Sequence, residues 1–371
     1  MKLVFASIFL LIFALMLFFA KKRFFNKINF SKNINLTIFG FLIFIYFGVI
    51  LYFLNRFYDF LSPFFYYISS LCIAFGFVIF VFAIFYEFYK LLCKILNPNE
   101  KINQIIEFSI FYLMLGYLFV AVASCFLDIK INEYNIKTTK IAKNTKIVFL
   151  SDLHIGPLVD EKYVRNVVRL VNTENPDVVI LGGDILDDNI QNSTKALEEL
   201  SGLKAKNAIF YALGNHEYFY GEKQSLDTFQ SLGFLTLENN TFVLEKLGIN
   251  ISGIYDFMGL RKGELSPNLN GFKKSENFNI LISHQPKVIS EPNFNQDMFD
   301  LVLSGHTHCG QIFPFGLLVL LQQPYLCKDH KIGKNSQIII SSGVGFWGPK
   351  VRIGSDFEIL VVNLEKSSEK Q

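Results

Sequence analysis

Four long apolar stretches, at 3–20, 36–54, 62–85 and 108–126, occupy the first 128 residues and limit what this chain can fold into more than any other feature. Crossing the hydrocarbon core takes about 20 predominantly apolar residues, and each stretch comes close to that length. A helix in a water-soluble core is apolar along one stripe. These stretches are apolar all round and carry almost no charge. Such hydropathy predicts a four-helix transmembrane region. The first stretch reads as an uncleaved anchor: only Lys2 precedes it, and Lys21, Lys22 and Arg23 follow where a signal peptide would carry small residues.

Orientation follows from lysine and arginine in the short loops. The first loop carries Lys21, Lys22, Arg23, Lys27 and Lys32, and the third Lys90, Lys94 and Lys101, against Arg56 alone in the second. Loops one and three are therefore expected in the cytoplasm. An even number of spans then leaves the rest of this multi-pass inner-membrane chain facing the periplasm or exterior. Lys130, Lys137 and Lys140 pull weakly the other way. The net charge of +3 comes with no basic stripe, so no nucleic-acid surface is expected. Cys72, Cys93 and Cys125 lie in or beside spans, and Cys309 and Cys327 follow; this irregular set is read as no disulfide framework.

Composition shifts abruptly near Asp128. Residues 129–144 are polar and lysine-rich, a linker or an opening strand. From 145 to 364 strand, loop and helix alternate, which marks an α/β domain, and 365–371 form a polar tail. Strands are expected at 146–150, 178–181, 208–213, 250–254, 278–282, 301–303, 337–341 and 357–363. The clearest helix follows the first of them, with Asp160 as N-cap and Val164, Val167, Val168 and Val171 on one face.

Five of the six histidines fall in short patches that end apolar runs: Asp152-x-His154, Gly183-Asp184, Gly214-Asn215-His216-Glu217, His284 and Gly305-His306-Thr307-His308. Imidazole, carboxylate and carboxamide together form the ligand set of a borderline-hard divalent metal site. Ligands at the carboxyl ends of several strands converge in the crevice where α/β proteins place their sites. A dinuclear phosphoester hydrolase needs two cations about 3.5–4 Å apart that clamp phosphate oxygens and generate hydroxide at neutral pH. One carboxylate must bridge them. Asp152, His154, Asp184, Asn215, His284, His306 and His308 supply two sites of four protein ligands with one residue shared. Glycines 183, 214 and 305 stand immediately before ligands, where the chain must turn out of a strand.

His216 differs, because it adjoins a ligand and must point elsewhere. A histidine just off the metals protonates the leaving oxygen, and Asp187, three residues past Asp184, is placed to orient it. Cys309 is read as a small residue packed beneath the site rather than a soft ligand. His330 is read as a surface residue. Glu217 and Tyr218 are expected to line the pocket.

These patches in this order resemble the calcineurin-like metallophosphoesterase superfamily, over the whole soluble domain and none of the spans. The resemblance implies a four-layer α/β/β/α metallophosphoesterase sandwich with the site at its top. It also implies Asp152, His154, Asp184 and His308 around one metal and Asp184, Asn215, His284 and His306 around the other, with His216 catalytic. The runs Gly305–Ile312 and Gly343–Pro349, followed by Val351-Arg352, look like the membrane-associated bacterial branch, which more often has glycine at the position of Cys309. Trp347 would shape the pocket there and Arg352 would bind a substrate phosphate.

The expected function is a membrane-anchored phosphohydrolase with two divalent ions of manganese, iron or zinc, a phosphodiesterase that uses a metal-bridging hydroxide. Some relatives in that branch cleave a diacylated UDP-sugar, so a pyrophosphatase of a lipid-linked nucleotide is the alternative reading. That substrate is made in the cytoplasm, and an outward-facing site argues against it. A non-catalytic metal-binding sensor would be favoured by missing ligands, and none is missing. Intramembrane ionisable residues that would mark a transport path are few, so the spans read as an anchor.

Overall fold

The computed structural model describes residues 2–262 and 265–368. The chain divides into two compact units, Met1–Phe126 with Gly348–Ile353 and Leu127–Trp347 with Gly354–Gln371.

The first unit contains four helices long and apolar enough to cross a membrane. They are α1 (Lys2–Ala20), α2 (Lys32–Tyr58), α3 (Pro63–Leu96) and α4 (Glu100–Ser124). Short side chains start them: Ser31 Oγ accepts from Ile34 N–H, Asn99 Oδ1 accepts from Ile102 N–H, and Pro63 opens α3. Helix α3 packs against the other three. Close approach is possible where side chains are small: Gly76 of α3 lies under the Phe13 ring, and Gly48 of α2 faces Cys72. Lys90 of α3 and Glu107 of α4 form a 3.0 Å ion pair, which Tyr86 joins as a hydroxyl donor.

The second unit is built on two six-stranded sheets. The first sheet has the order β1 (Lys130–Thr138), β12 (Glu358–Lys366), β2 (Thr145–Leu150), β3 (Val178–Gly182), β4 (Ala208–Ala212), β5 (Leu235–Thr236). The second runs β10 (Lys328–Lys331), β11 (Gln337–Ile340), β9 (Leu301–Ser304), β8 (Phe278–Ile282), β7 (Ile249–Gly253), β6 (Asn240–Leu244). The central strands are parallel, so their carboxyl ends share one edge of each sheet. Phe149, Ile180 and Phe210 of one sheet and Ile251, Ile280 and Leu303 of the other form the core between them. The outer face of the first sheet is covered by α5 (Glu161–Thr173) and α6 (Ile190–Leu200), and the second by a layer that includes Phe257, Val288 and Phe299. This is the four-layer α/β/β/α arrangement. In α5, Asp160 accepts from Tyr163 N–H, and Val164, Val167, Val168 and Val171 are buried.

Of the two readings of 129–144, a linker or an opening strand, the strand holds for Lys130–Thr138: β1 has nine residues, and each pairs in parallel with β12. The expected polar tail is strand through Lys366 for the same reason, while 369–371 lie outside the described residues.

Candidate metal centre

The loops that leave β2, β3 and β9 carry five of the seven expected ligands on left-handed backbone: Asp152 (φ 55°), His154 (53°), Asp184 (52°), His306 (69°) and His308 (48°). Non-glycine residues adopt this region at a cost of about 1–3 kcal/mol each and persist there only where the surroundings enforce it. Here the enforcement is a backbone lattice. Asp152 N–H donates to Gly183 O, His154 N–H to Asp184 O, Gly305 N–H to His284 O and Gly345 N–H to Asp152 O. Of the three glycines expected at turns, only Gly183 has positive φ (94°). Gly214 and Gly305 are needed because a Cβ would overlap Asp184 and Asp152 respectively.

Three groups of side chains converge: Asp152, His154 and His308; His154, Asp184 and His216; Asp184, His284 and His306. Within each, the candidate ligand atoms lie within 4.8 Å of one another. Asp184 Oδ2 is 3.1 Å from His284 Nε2 and 3.9 Å from Nε2 of both His154 and His216. His154 Nε2 and His308 Nε2 are 3.0 Å apart, and His308 Nε2 is 3.4 Å from Asp152 Oδ1. Asp152 is anchored from behind, its two oxygens accepting from His306 N–H at 3.1 and 3.0 Å.

These residues fit divalent cations. His284 Nδ1 must donate to the Gly182 carbonyl 2.9 Å away, so Nε2 turns its lone pair toward the Asp184 carboxylate. That contact is repulsive unless a positive charge lies between the two atoms. Burial disfavours charge on either partner. The attraction is stronger, so His284 is pushed well above the usual imidazole range and Asp184 is held well below the usual carboxylate range. Asn215 Oδ1 is buried with no hydrogen-bond partner, as a ligand oxygen awaiting a cation would be. Burial lowers His154 and His306 to about 3, which keeps both imidazoles neutral and able to donate a lone pair. It raises Asp152 to about 6, with the neighbouring Asp184 adding to the effect.

His216 sits at the edge of the cluster. Its Nδ1 is 2.7 Å from Asp187 Oδ1, so Nδ1–H donates to that carboxylate and Nε2 faces the cluster. Tyr220 donates to the same Asp187 oxygen at 3.4 Å.

Glu217 does not line the pocket; it lies beneath the cluster and is fully buried. Its Oε1 accepts from the N–H groups of Ile185 (2.7 Å) and Leu186 (3.0 Å), and Oε2 from Asp184 (3.1 Å) and Gly214 (2.7 Å). One carboxylate thus fastens the loop that bears Asp184 to the loop that bears Asn215. Burial and then Asp184 raise it to about 7, opposed by those N–H groups. The signal was the Gly-Asn-His-Glu run itself, but three of the four N–H partners of Glu217 are some 30 residues away. Tyr218 is also buried, and its hydroxyl donates to Leu265 O.

Residues 145–310 match the family described as calcineurin-like phosphoesterase. A metallophosphoesterase of Helicobacter pylori, described as uncharacterized, is 36% identical over 304 residues, 80% of this chain and 81% of that protein. The chain belongs to the calcineurin-like metallophosphoesterase family. Another metallophosphoesterase, from Campylobacter jejuni, is 32% identical over 318 residues, 83% of each chain. A Danio rerio protein described as a transmembrane protein with metallophosphoesterase domain is 32% identical over 234 residues, 60% of this chain and 53% of its own length. Membership makes the chain a metal-dependent phosphoester hydrolase, and the converging histidines and aspartates are candidate metal-binding groups.

Trp347 is 40% exposed, its backbone held by Gln311, whose Oε1 accepts from Trp347 N–H at 3.0 Å and whose Nε2 donates to Trp347 O at 2.8 Å. Arg352 is buried, and its N–H donates to Ser124 Oγ at 3.0 Å. His330 stands outside the cluster, stacked on Tyr325 with its Nε2 at 2.9 Å from Cys327 O. The reading of the cysteines is overturned: Cys309 is half-buried and bonded to Cys327. The intervening loop folds back to bring their Cα atoms to 5.1 Å, within disulfide range.

Proposed function

We propose that this metallophosphoesterase is a membrane-anchored phosphodiesterase that holds two divalent cations on the outer side of the membrane. The observation that carries the reading is the shared position of Asp184, whose carboxylate faces two groups of histidines at once. Asp152, His154, Asp184 and His308 would hold one ion, and Asp184, Asn215, His284 and His306 the other, with manganese, iron or zinc suited to such donors. Bound there, the ions would neutralise phosphoryl oxygens and acidify a water.

The remaining work falls to side chains. Asp187 fixes the His216 ring through Nδ1 and stabilises its cationic form, which leaves the Nε2 proton for the departing oxygen. A departing alkoxide requires that proton. The lysine and arginine bias of the loops and the Cys309–Cys327 bond, a linkage of oxidising compartments, both favour the outer side. An outward site favours phospholipid-headgroup or cell-wall diesters and disfavours a lipid-linked nucleotide made in the cytoplasm.

The test is hydrolysis of bis-p-nitrophenyl phosphate beside p-nitrophenyl phosphate by the full chain in detergent, stripped of metal and refilled with manganese, zinc or magnesium. Metal-dependent diester turnover is the expected outcome. Monoester turnover alone would overturn the diester assignment, and two bound ions without turnover of either would favour a sensor.

A further inference from the structure

Just beyond the His306–His308 turn, the second unit presents an apolar surface that its own core does not use. Leu317 and Leu318 in α10 (Gly316–Val319), with Leu320 and Leu321 after it, are 63%, 53%, 44% and 79% exposed. No Asp, Glu, Lys or Arg occurs between Leu301 and Lys328 to solvate this stretch. The Gln311 side chain ties the start of the segment to the backbone of Trp347, the only tryptophan of the chain and itself exposed. Exposed leucines this close in sequence, in a segment without charge and tied at its start to an exposed tryptophan, mark a contact surface rather than a solvated loop.

We infer that this surface docks into the headgroup–acyl boundary of a lipid bilayer. Chain connectivity supplies the occupant. Only residues 125–129 separate the end of α4 from the start of β1, a reach under about 20 Å. At the other end, Trp347 is bonded directly to Gly348, the first residue of the segment that belongs to the helical unit. Trp347, to which Gln311 of the segment is hydrogen-bonded, is thus one peptide bond from the unit whose helices can span a bilayer. An uncharged, leucine-rich turn with a flanking tryptophan is the composition that partitions into that boundary. The inference rests on the bilayer reading of the helices and is independent of the hydrolase reading.

The single tryptophan makes the test direct. The full chain is reconstituted in phosphatidylcholine vesicles, with and without bromine on the acyl chains, and Trp347 emission is read against aqueous iodide. A Trp347→Phe, Leu321→Trp double variant moves the reporter onto the leucine segment, and a Trp347→Phe, Glu245→Trp variant places it on an exposed polar turn as control. Quenching by bromolipid at 347 and 321, with protection from iodide, and the reverse at 245, is expected. Iodide quenching alone at 321 would overturn the inference. Shielding from both quenchers would overturn it in favour of a protein partner such as a second copy. Failure to co-float with vesicles would instead sink the bilayer reading of the helices, and the emission does not depend on turnover in any arm.

Discussion

At the residue scale, the site consists of groups held in positions they would not choose alone. Three substitutions separate their roles. Asp184→Asn removes the shared charge and is expected to lose bound metal and activity together. His216→Ala should lower turnover by about 10²–10⁴-fold while metal content stays unchanged. Glu217→Gln keeps the shape but turns an NH₂ group toward backbone N–H groups, at about 1–3 kcal/mol for each one left without an acceptor. Lower melting temperature and reduced metal occupancy are expected for it, read by thermal unfolding and by metal analysis of the purified variant. The residues that converge were legible in the sequence because few other patterns place histidine and aspartate after apolar runs. What surrounds them was not. The left-handed φ of His306 comes from bonds made by Asp152, and the role of Glu217 comes from N–H groups at 184, 185, 186 and 214. Apart from Gly214, none of these partners is a neighbour in the chain.

At the element scale, buried strands announced themselves and edge strands did not. Val178–Gly182 is apolar throughout, and Phe278–Ile282 is apolar but for Asn279, because both faces are covered, and they were readable as apolar runs. Lys328–Lys331 has no apolar residue; it is a strand only because it hydrogen-bonds to β11 at the margin of the second sheet. Helix α6 was equally hidden, its start set by Asn189 accepting from Asn192 N–H rather than by a strong apolar stripe. The disulfide belongs to this scale as well, since it joins the turn after His308 to the approach of β10 across 18 residues. Replacing Cys309 and Cys327 together with serine should lower unfolding stability by about 3 kcal/mol, as expected for a loop of that size. Denaturant titration of the full chain in detergent measures it, and reductant added to the native protein should reproduce the shift.

At the scale of the whole molecule, orientation decides which phosphoesters the site can meet. Alkaline phosphatase fused after Gln371 is expected to be active and a green fluorescent protein fused there dark; the opposite pair would return the cytoplasmic lipid-linked nucleotide to first place. The boundary between the two units was visible as a change of composition near Asp128, but the return of 348–353 to the helical unit was not, because six residues carry too little hydropathy to mark membership. One further consequence lies in strand order. β12 sits between β1 and β2, and among the described residues it is the only strand paired with β1. It is the last of the described strands in sequence, and without it β1 is cut off from the rest of the first sheet. Until it is made, the segment that follows the helices has no strand to pair with. On the outward orientation proposed above, that delay would suit a chain that crosses the membrane before its first sheet closes.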